Sequence, residues 1–128
     1  MPTDKKAPSI GAVEWCDLTV QDASHVKDFY CNVIGWESAA VSMGDYDDFN
    51  ITLPNGGDTI TGICHARGGN SNLPPQWLLY VRVASVADSA AICIAKGGKV
   101  IEGPREMAGC QFCVIKDPEG AVLALLSD

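Results

Sequence analysis

The sequence has little positive charge, and its basic residues are scattered. Nine Lys and Arg stand against 16 Asp and Glu, which gives a formal net charge of −7, and the only basic pair is Lys5-Lys6. Proteins that bind nucleic acid or anionic membranes need a basic patch to contact phosphate groups. We therefore predict that this chain binds neither nucleic acid nor membrane.

The sequence also lacks the long apolar runs of membrane and secreted proteins. No segment approaches the roughly 18 apolar residues of a spanning helix, and residues 1–15 contain no apolar core of a signal peptide. The chain has 128 residues and 47% hydrophobic content, enough for one compact core. These features predict one cytoplasmic domain over residues 1–128.

Six cysteines are present, but they do not form a disulfide or zinc pattern. Most occur singly in hydrophobic contexts, where free cysteine behaves as a small core residue. Cys110 and Cys113 form one CxxC, and no second CxxC or spaced His pair accompanies it. The stretch "CQFCVIK" resembles a strand, in which residues three apart point to opposite faces. We predict core thiols rather than a zinc or redox site.

A β-α unit occurs twice along the chain. "VEWCDLTV" is a strand candidate, Asp22 is a good helix cap, and "ASHVKDFYCNVIG" has a helical face that includes Phe29 and Val33 and ends at Gly35. About 63 residues later, "WLLYVRV" is again a strand, Ser85 is again a cap, and "VADSAAICIAKGG" is again a helix. We interpret this recurrence as a structural repeat.

The segments after each helix correspond as well. Short strand candidates follow both helices, and the turns Pro54-Asn55-Gly56 and Pro118-Glu119-Gly120 precede the last strand of each half. Each half therefore has the order βαβββ. The predicted modules cover about residues 10–66 and 76–128, with a Gly-, Asn- and Pro-rich linker at about 67–75.

These features resemble the vicinal oxygen chelate superfamily, which groups glyoxalases, bleomycin-resistance proteins and extradiol dioxygenases. The resemblance is carried by "DLTVQDASHVKDFYCNVIGW" and "KDPEGAVLAL", and "LPPQWLLYVRV" and "GGKVIEGPREMAGCQFCVIKDPEGA" look like proteins related to lactoylglutathione lyase. It implies an α+β fold, with mixed sheets that curl around a cavity and helices outside. It also implies a homodimer.

Metal-using members of that superfamily carry ligands at four points, in the first and last strand of each module. Counting back seven residues from the two caps places Trp15 and Leu78 at the first-strand points. The family pattern after Asp-Pro-x-Gly places Ala124 where relatives commonly have Glu, and the remaining point falls near Ile60 or Thr61. Divalent metals need carboxylate, imidazole or thiolate ligands, so we expect no metal and no cofactor.

Strand alternation predicts which residues replace the metal site. The expected cavity residues share the parity of the former ligand positions: Trp15, Asp17, Thr19, Leu78, Tyr80, Arg82, Val122, Ala124 and Leu126. The opposite faces of the first strands should pack against the helices as core: Leu18, Val20, Leu79, Val81 and Val83.

Three further polar features have weaker assignments. Asp17 and Arg82 could hold the polar end of a ligand. Alternatively, they could form an internal ion pair with each other. His65 ends a strand and is a possible residue of the cavity mouth. The acidic stretch Asp45–Asp48 is expected to be a solvated loop, although such a loop could border the pocket.

Two functions remain open at this point. The first is a protein that binds a small, partly apolar molecule without the usual metal. The alternative is an enzyme of lyase, isomerase or dioxygenase type, either metal-independent with Asp17 as general base or with a displaced metal site that includes His65.

Overall fold

A computed structural model describes residues 9–128 of the chain, and these residues form eight strands and two helices. In chain order the elements are β1 (Val13–Val20), α1 (Ala23–Ile34), β2 (Glu37–Ser42), β3 (Asp47–Thr52), β4 (Thr59–His65), β5 (Trp77–Arg82), α2 (Val86–Ala95), β6 (Lys99–Met107), β7 (Cys110–Lys116) and β8 (Val122–Ser127). A single 3-10 turn at Gly68–Asn70 lies between β4 and β5. The predicted βαβββ order of each half is confirmed.

The described residues divide into two compact units. The first unit is Trp15–Leu78, and the second unit contains the described residues up to Glu14 together with Leu79–Asp128. Residues 9–14 belong to the second unit because the Gly11 N–H donates to the Arg82 carbonyl at 2.7 Å, and the Arg82 N–H donates to the Ala12 carbonyl at 2.9 Å.

In the first unit the strand order is β2-β3-β4-β1. The outer pairs are antiparallel, while β1 and β4 run parallel, with Asp17 beside Gly62 and Thr19 beside Cys64. One face packs against α1 and buries a core of Leu18, Ala23, Ile51 and Ile63. Beside this core Trp77 donates from Nε1 to the Tyr30 hydroxyl at 3.2 Å.

In the second unit the order β5-β8-β7-β6 repeats this arrangement. Here β5 and β8 run parallel, with Tyr80 beside Ala124. Packing against α2 buries Val86, Ala90, Cys113 and Leu125. Both Cys110 and Cys113 lie within β7, which agrees with the strand predicted for the CxxC segment.

Both predicted helix starts are confirmed by their hydrogen bonds. The Asp22 carboxylate accepts from the His25 N–H at 3.1 Å, and the Ser85 hydroxyl accepts from the Asp88 N–H at 3.2 Å. At the other end of α1, Gly35 has φ = 92°, in the left-handed region that glycine tolerates, and its N–H donates to the Cys31 carbonyl. The two caps thus set corresponding positions in the two units.

Some residues predicted to be in the core are exposed. Leu79 is 43% exposed, so it is not a core residue, whereas Val81 and Val83 do pack on the second core. On α1, Phe29 and Val33 are exposed although their helical spacing with Val26 and Tyr30 predicted one apolar face. The buried stripe of α1 contains Val26 and Tyr30, and Phe29 and Val33 lie beside it on the exposed side.

Within residues 9–128, neither helix has the length and apolarity needed to cross a membrane.

The two helix caps generate a stability prediction. Replacing Asp22 or Ser85 by Ala leaves one N-terminal backbone N–H without its side-chain acceptor, so each change should lower the free energy of unfolding by about 1 kcal/mol. The measurement is urea denaturation of the wild type and each variant. Asp28→Ala is the control, because this exposed carboxylate lies inside α1 and caps nothing. Equal losses from Asp22→Ala and Asp28→Ala would contradict the capping role.

Candidate functional site

A cavity of about 240 Å³ lies in the first unit. Its lining combines apolar, aromatic and acidic side chains: Trp15, Asp17, Val41, Met43, Asp48, Phe49, Asn50, Gly62 and Cys64. This composition, mostly apolar with a few convergent polar groups, is typical of small-molecule sites.

Strand register explains why these side chains meet. In one row across the sheet, Asp17 lies beside Gly62 and Gly62 lies beside Asn50. Cys64 is two residues further along β4, and residues two apart on a strand project from the same face. The cavity therefore follows from the parallel pairing of β1 with β4.

Two residues predicted for the cavity, Trp15 and Asp17, do line it. The indole Nε1–H of Trp15 donates to Asp17 Oδ2 at 3.3 Å, which holds ring and carboxylate side by side. Thr19 lies beside Cys64 in the register but is itself buried and is not among the lining residues. Leu78 is also buried, at the boundary of the first unit.

Asp48 is a cavity residue that strand parity did not predict. The prediction of a solvated loop for Asp45–Asp48 is wrong for this residue, which lies in β3, is only 8% exposed and lines the cavity. Its Oδ1 accepts from the His65 backbone N–H at 2.8 Å. The signal was present, because "DDFNITL" also has the pattern of a strand and a strand that begins at Asp47 includes Asp48.

Cys64 reports the electrostatics of the cavity. Burial raises the pKa of its thiol to about 12, with further contributions from the negative charges of Asp17 and Asp48 and from a hydrogen bond with Asp48. The pKa of Cys16 is also raised, first by burial and then by the charge of Asp17. Cys64 is therefore a protonated thiol at neutral pH, which does not suit it to act as a nucleophile.

His65 lies behind the cavity wall rather than in its lining. Its Nδ1 is 2.9 Å from the Asp47 carbonyl oxygen and 3.5 Å from Asp48 Oδ1. The ring packs edge-on against Tyr46, with centroids 5.6 Å apart. This side chain therefore supports Asp48 from outside the cavity.

The remaining predicted residues lie in the second unit. Tyr80 is buried and stacks on Phe112, with ring centroids 6.0 Å apart, and Ala124 beside it is fully buried. Neither Phe112 nor the Arg105 guanidinium over its ring was singled out from the sequence.

Arg82 forms an ion-pair cluster with two carboxylates of the same unit. Its Nε and Nη2 donate to the two Glu14 oxygens at 3.0 and 2.9 Å, and its Nη1 donates to Asp128 at 3.1 Å. Glu14 is therefore a carboxylate partner of Arg82. The hydrogen bond from Arg82 lowers the pKa of Glu14, and the same bond raises the pKa of Arg82.

The register also tests whether the superfamily's metal would fit. Ala124 lies beside Tyr80 as Gly62 lies beside Asp17, so the fourth ligand position is Gly62 rather than Ile60 or Thr61. Three of the four positions thus carry the side chains of Trp15, Leu78 and Ala124, and the fourth is Gly62, which has no side chain. None offers a metal-binding group, and among residues 9–128 no three or more His, Cys, Asp or Glu side chains are grouped to hold a metal. The donor set does not fit the usual metal centre.

Comparison with known sequences identifies related proteins. The family model of the Glyoxalase/Bleomycin resistance protein/Dioxygenase superfamily matches residues 12–125. CFP32, a candidate glyoxylase of Mycobacterium bovis, is 26% identical over 117 residues, or 91% of this chain, and the Mycobacterium tuberculosis protein of that name matches equally. The chain spans 44% of the length of these curated relatives.

Comparison with solved structures supports the same fold. A superfamily member from Vibrio splendidus has a TM-score of 0.56 at 13% identity, covering 91% of this chain and all of that one. Methylmalonyl-CoA epimerase from Streptomyces coelicolor, in complex with 2-nitronate-propionyl-CoA, has a TM-score of 0.55 at 15% identity, covering 94% of this chain and 96% of that one. At these identities the likeness concerns the fold alone.

The raised pKa of Cys64 predicts slow alkylation of this thiol in the folded protein. A shift of its pKa from 9.0 to about 12 lowers the fraction of Cys64 present as thiolate near pH 8.5 roughly a thousandfold relative to an ordinary cysteine. Iodoacetamide labelling followed by peptide mass spectrometry should show a Cys64 rate that still rises at pH 10.5, whereas the rate in urea levels off near the ordinary pKa. Asp48→Asn removes one negative charge and should speed labelling. A rate in the folded protein that levels off near pH 9 would refute this environment.

The Arg82 cluster predicts how stability depends on acid pH. Because Arg82 lowers the pKa of Glu14 from its ordinary 4.5, the pair stabilises the fold above that value, and this stabilisation is lost as pH falls through the folded pKa. Arg82→Met should therefore make the decline in urea midpoint below about pH 5 shallower, besides lowering the midpoint at pH 7. Arg67→Met is the control, since its partner Asp45 is 3.9 Å away and exposed. An unchanged acid slope in Arg82→Met would rule out this pair as its source.

Proposed function

Since the chain belongs to the Glyoxalase/Bleomycin resistance protein/Dioxygenase superfamily, we propose that it binds a small, partly apolar molecule in the cavity of the first unit, without that superfamily's usual metal centre. The observation that carries this proposal is the cavity lining itself. Trp15, Val41 and Met43 supply apolar surface, while polar groups converge from three strands.

The size of the cavity limits the ligand. A volume of about 240 Å³ is below the roughly 300–1,000 Å³ common for drug-sized ligands, so a fragment-sized molecule or one end of a larger molecule fits best. Gly62 contributes to this space, because a β-carbon added there would lie 3.9 Å from both the Asp17 Cβ and a ring carbon of Trp15. The position where metal-using relatives carry Glu is thus part of the binding volume.

A metal-independent enzyme is the second candidate, and the place of Asp17 in the cavity wall is the observation that favours it. A carboxylate there is positioned to accept a proton from a bound molecule. The version with a displaced metal at His65 has less support, because His65 contacts Asp47 and Asp48 behind the wall and the described residues offer no grouped metal ligands.

We also propose a cellular location and the partners of this protein. The acidic composition and the absence of a basic patch in the sequence support a protein that works in the cytoplasm without nucleic acid or membrane as partner. The superfamily resemblance supports a homodimer, which sedimentation velocity would test.

Filling the cavity should abolish binding. Gly62 lies in a strand, and a β-carbon there meets only ordinary van der Waals distances, so Gly62→Val should fold and occupy the cavity beside Asp17. An NMR screen of fragment-sized molecules, read on the Trp15 indole N–H signal, should give hits that bind at least about tenfold more weakly to Gly62→Val. Thr59→Val is the control, because it is an exposed position of the same strand.

Two results would contradict the proposal. One is a screen in which no molecule shifts the Trp15 signal, or in which the hits bind Gly62→Val as well as wild type. The other is a stoichiometric divalent metal in the purified protein that a chelator removes together with ligand binding.

A further inference from the structure

Resting on the proposed function, we propose that the cavity selects a small organic cation, a protonated amine or quaternary ammonium group on an apolar body. The two cavity carboxylates would bind the charge, and the Trp15 ring would contact the cation and its substituents.

The Asp48 carboxylate is buried among neutral donors. Its Oδ1 accepts from the His65 backbone N–H, and it forms a hydrogen bond with the Cys64 thiol. The Nδ1 atom of the His65 ring lies closer to the Asp47 carbonyl oxygen than to Asp48 Oδ1. A carboxylate has about four lone-pair sites, so these contacts leave acceptor capacity for a donor inside the cavity.

Asp17 adds a second carboxylate to the same wall, beside the Trp15 indole. The lining, as the described residues form it, contains these two acids and no Lys or Arg. Charges of one sign in a concave, poorly solvated site create a field that attracts the opposite charge.

The Cys64 thiol supports a negative potential inside the cavity. Its pKa is raised by burial and, in addition, by the charges of both Asp17 and Asp48. An anion at the same place, such as a carboxylate or phosphate group, would be opposed by the field that opposes ionisation of the thiol. An ammonium group would be favoured by it.

The aromatic residue of the wall fits a cation as well. Trp15 lines the cavity, and ring faces attract ammonium groups through the negative face of the π system. The ring of Phe49 is not part of this contact, because it packs on the core beside α1, where Lys27 Nζ lies 4.7 Å from its centroid. Lys27 also pairs with Asp28 at 2.7 Å and is not a lining residue.

Three compounds with one ring and different charge test this inference: protonated 2-phenylethylamine, neutral 2-phenylethanol and anionic phenylacetate. Titrations at pH 7 followed on the Trp15 indole N–H should give the amine a dissociation constant about tenfold below that of the alcohol, with phenylacetate weakest. Raising NaCl from about 0.05 to 0.5 M should reduce the amine preference, since salt screens charge.

Variants locate the effect. Asp48→Asn keeps an oxygen for the His65 N–H but removes the charge, so it should bring the amine-to-alcohol ratio close to one while alcohol binding persists. Asp17→Asn should reduce the ratio independently, which keeps the test valid if the Asp48 variant folds poorly. Asp45→Asn is the matched control, because this exposed acid lies outside the lining and should leave the ratio unchanged.

The outcomes separate this inference from the proposed function. Equal or tighter binding of the alcohol or of phenylacetate at this site would overturn the cation preference while the binding function stands. Failure of all three compounds and of the wider fragment screen would overturn both. An amine preference that survives both Asp17→Asn and Asp48→Asn would show that other charges cause it, and would also overturn the inference.

Discussion

The parallel pairing of the first and last strand within each unit is the constraint on which the site depends. It places Asp17 beside Gly62 in the first unit and Tyr80 beside Ala124 in the second. In metal-using relatives this pairing brings ligands together, whereas here it brings together residues with little or no side chain at the last-strand position. The fold is retained, and the space that remains in the first unit becomes part of a cavity with acidic and aromatic walls.

A buried carboxylate is costly unless polar groups surround it, and Asp48 illustrates how this chain meets that requirement. Its donors are a backbone N–H of β4 and a thiol, both without formal charge. In the second unit, by contrast, Arg82 has two carboxylate partners. The carboxylates of the second unit are paired with an Arg, whereas the two acids Asp17 and Asp48 of the first unit line a cavity, which is why only the latter supports a binding proposal.

Most of the fold could be predicted from the sequence, because the signals were local and occurred twice. Asp22, Ser85 and the Pro-x-Gly turns fixed both helices and the order of the strands. Strand parity then identified Trp15 and Asp17. The sequence did not identify Asp48 as buried, since a stretch of three acids and a tyrosine resembles a loop. The hydrogen bond that Asp48 accepts comes from His65, 17 residues further along the chain, and local sequence does not predict it. It also misplaced the empty ligand position, because an irregular β3–β4 register displaces a simple count.

The bond from the His65 N–H to Asp48 joins the site to the architecture of the sheet. This carboxylate is at once a structural acceptor between β3 and β4 and a wall of the cavity. A bound molecule that engages it would reinforce the contact that holds those strands, so occupancy and resistance to unfolding would be thermodynamically linked. The ligand concentration would then affect how long the chain stays folded, as well as the fraction of sites that are occupied.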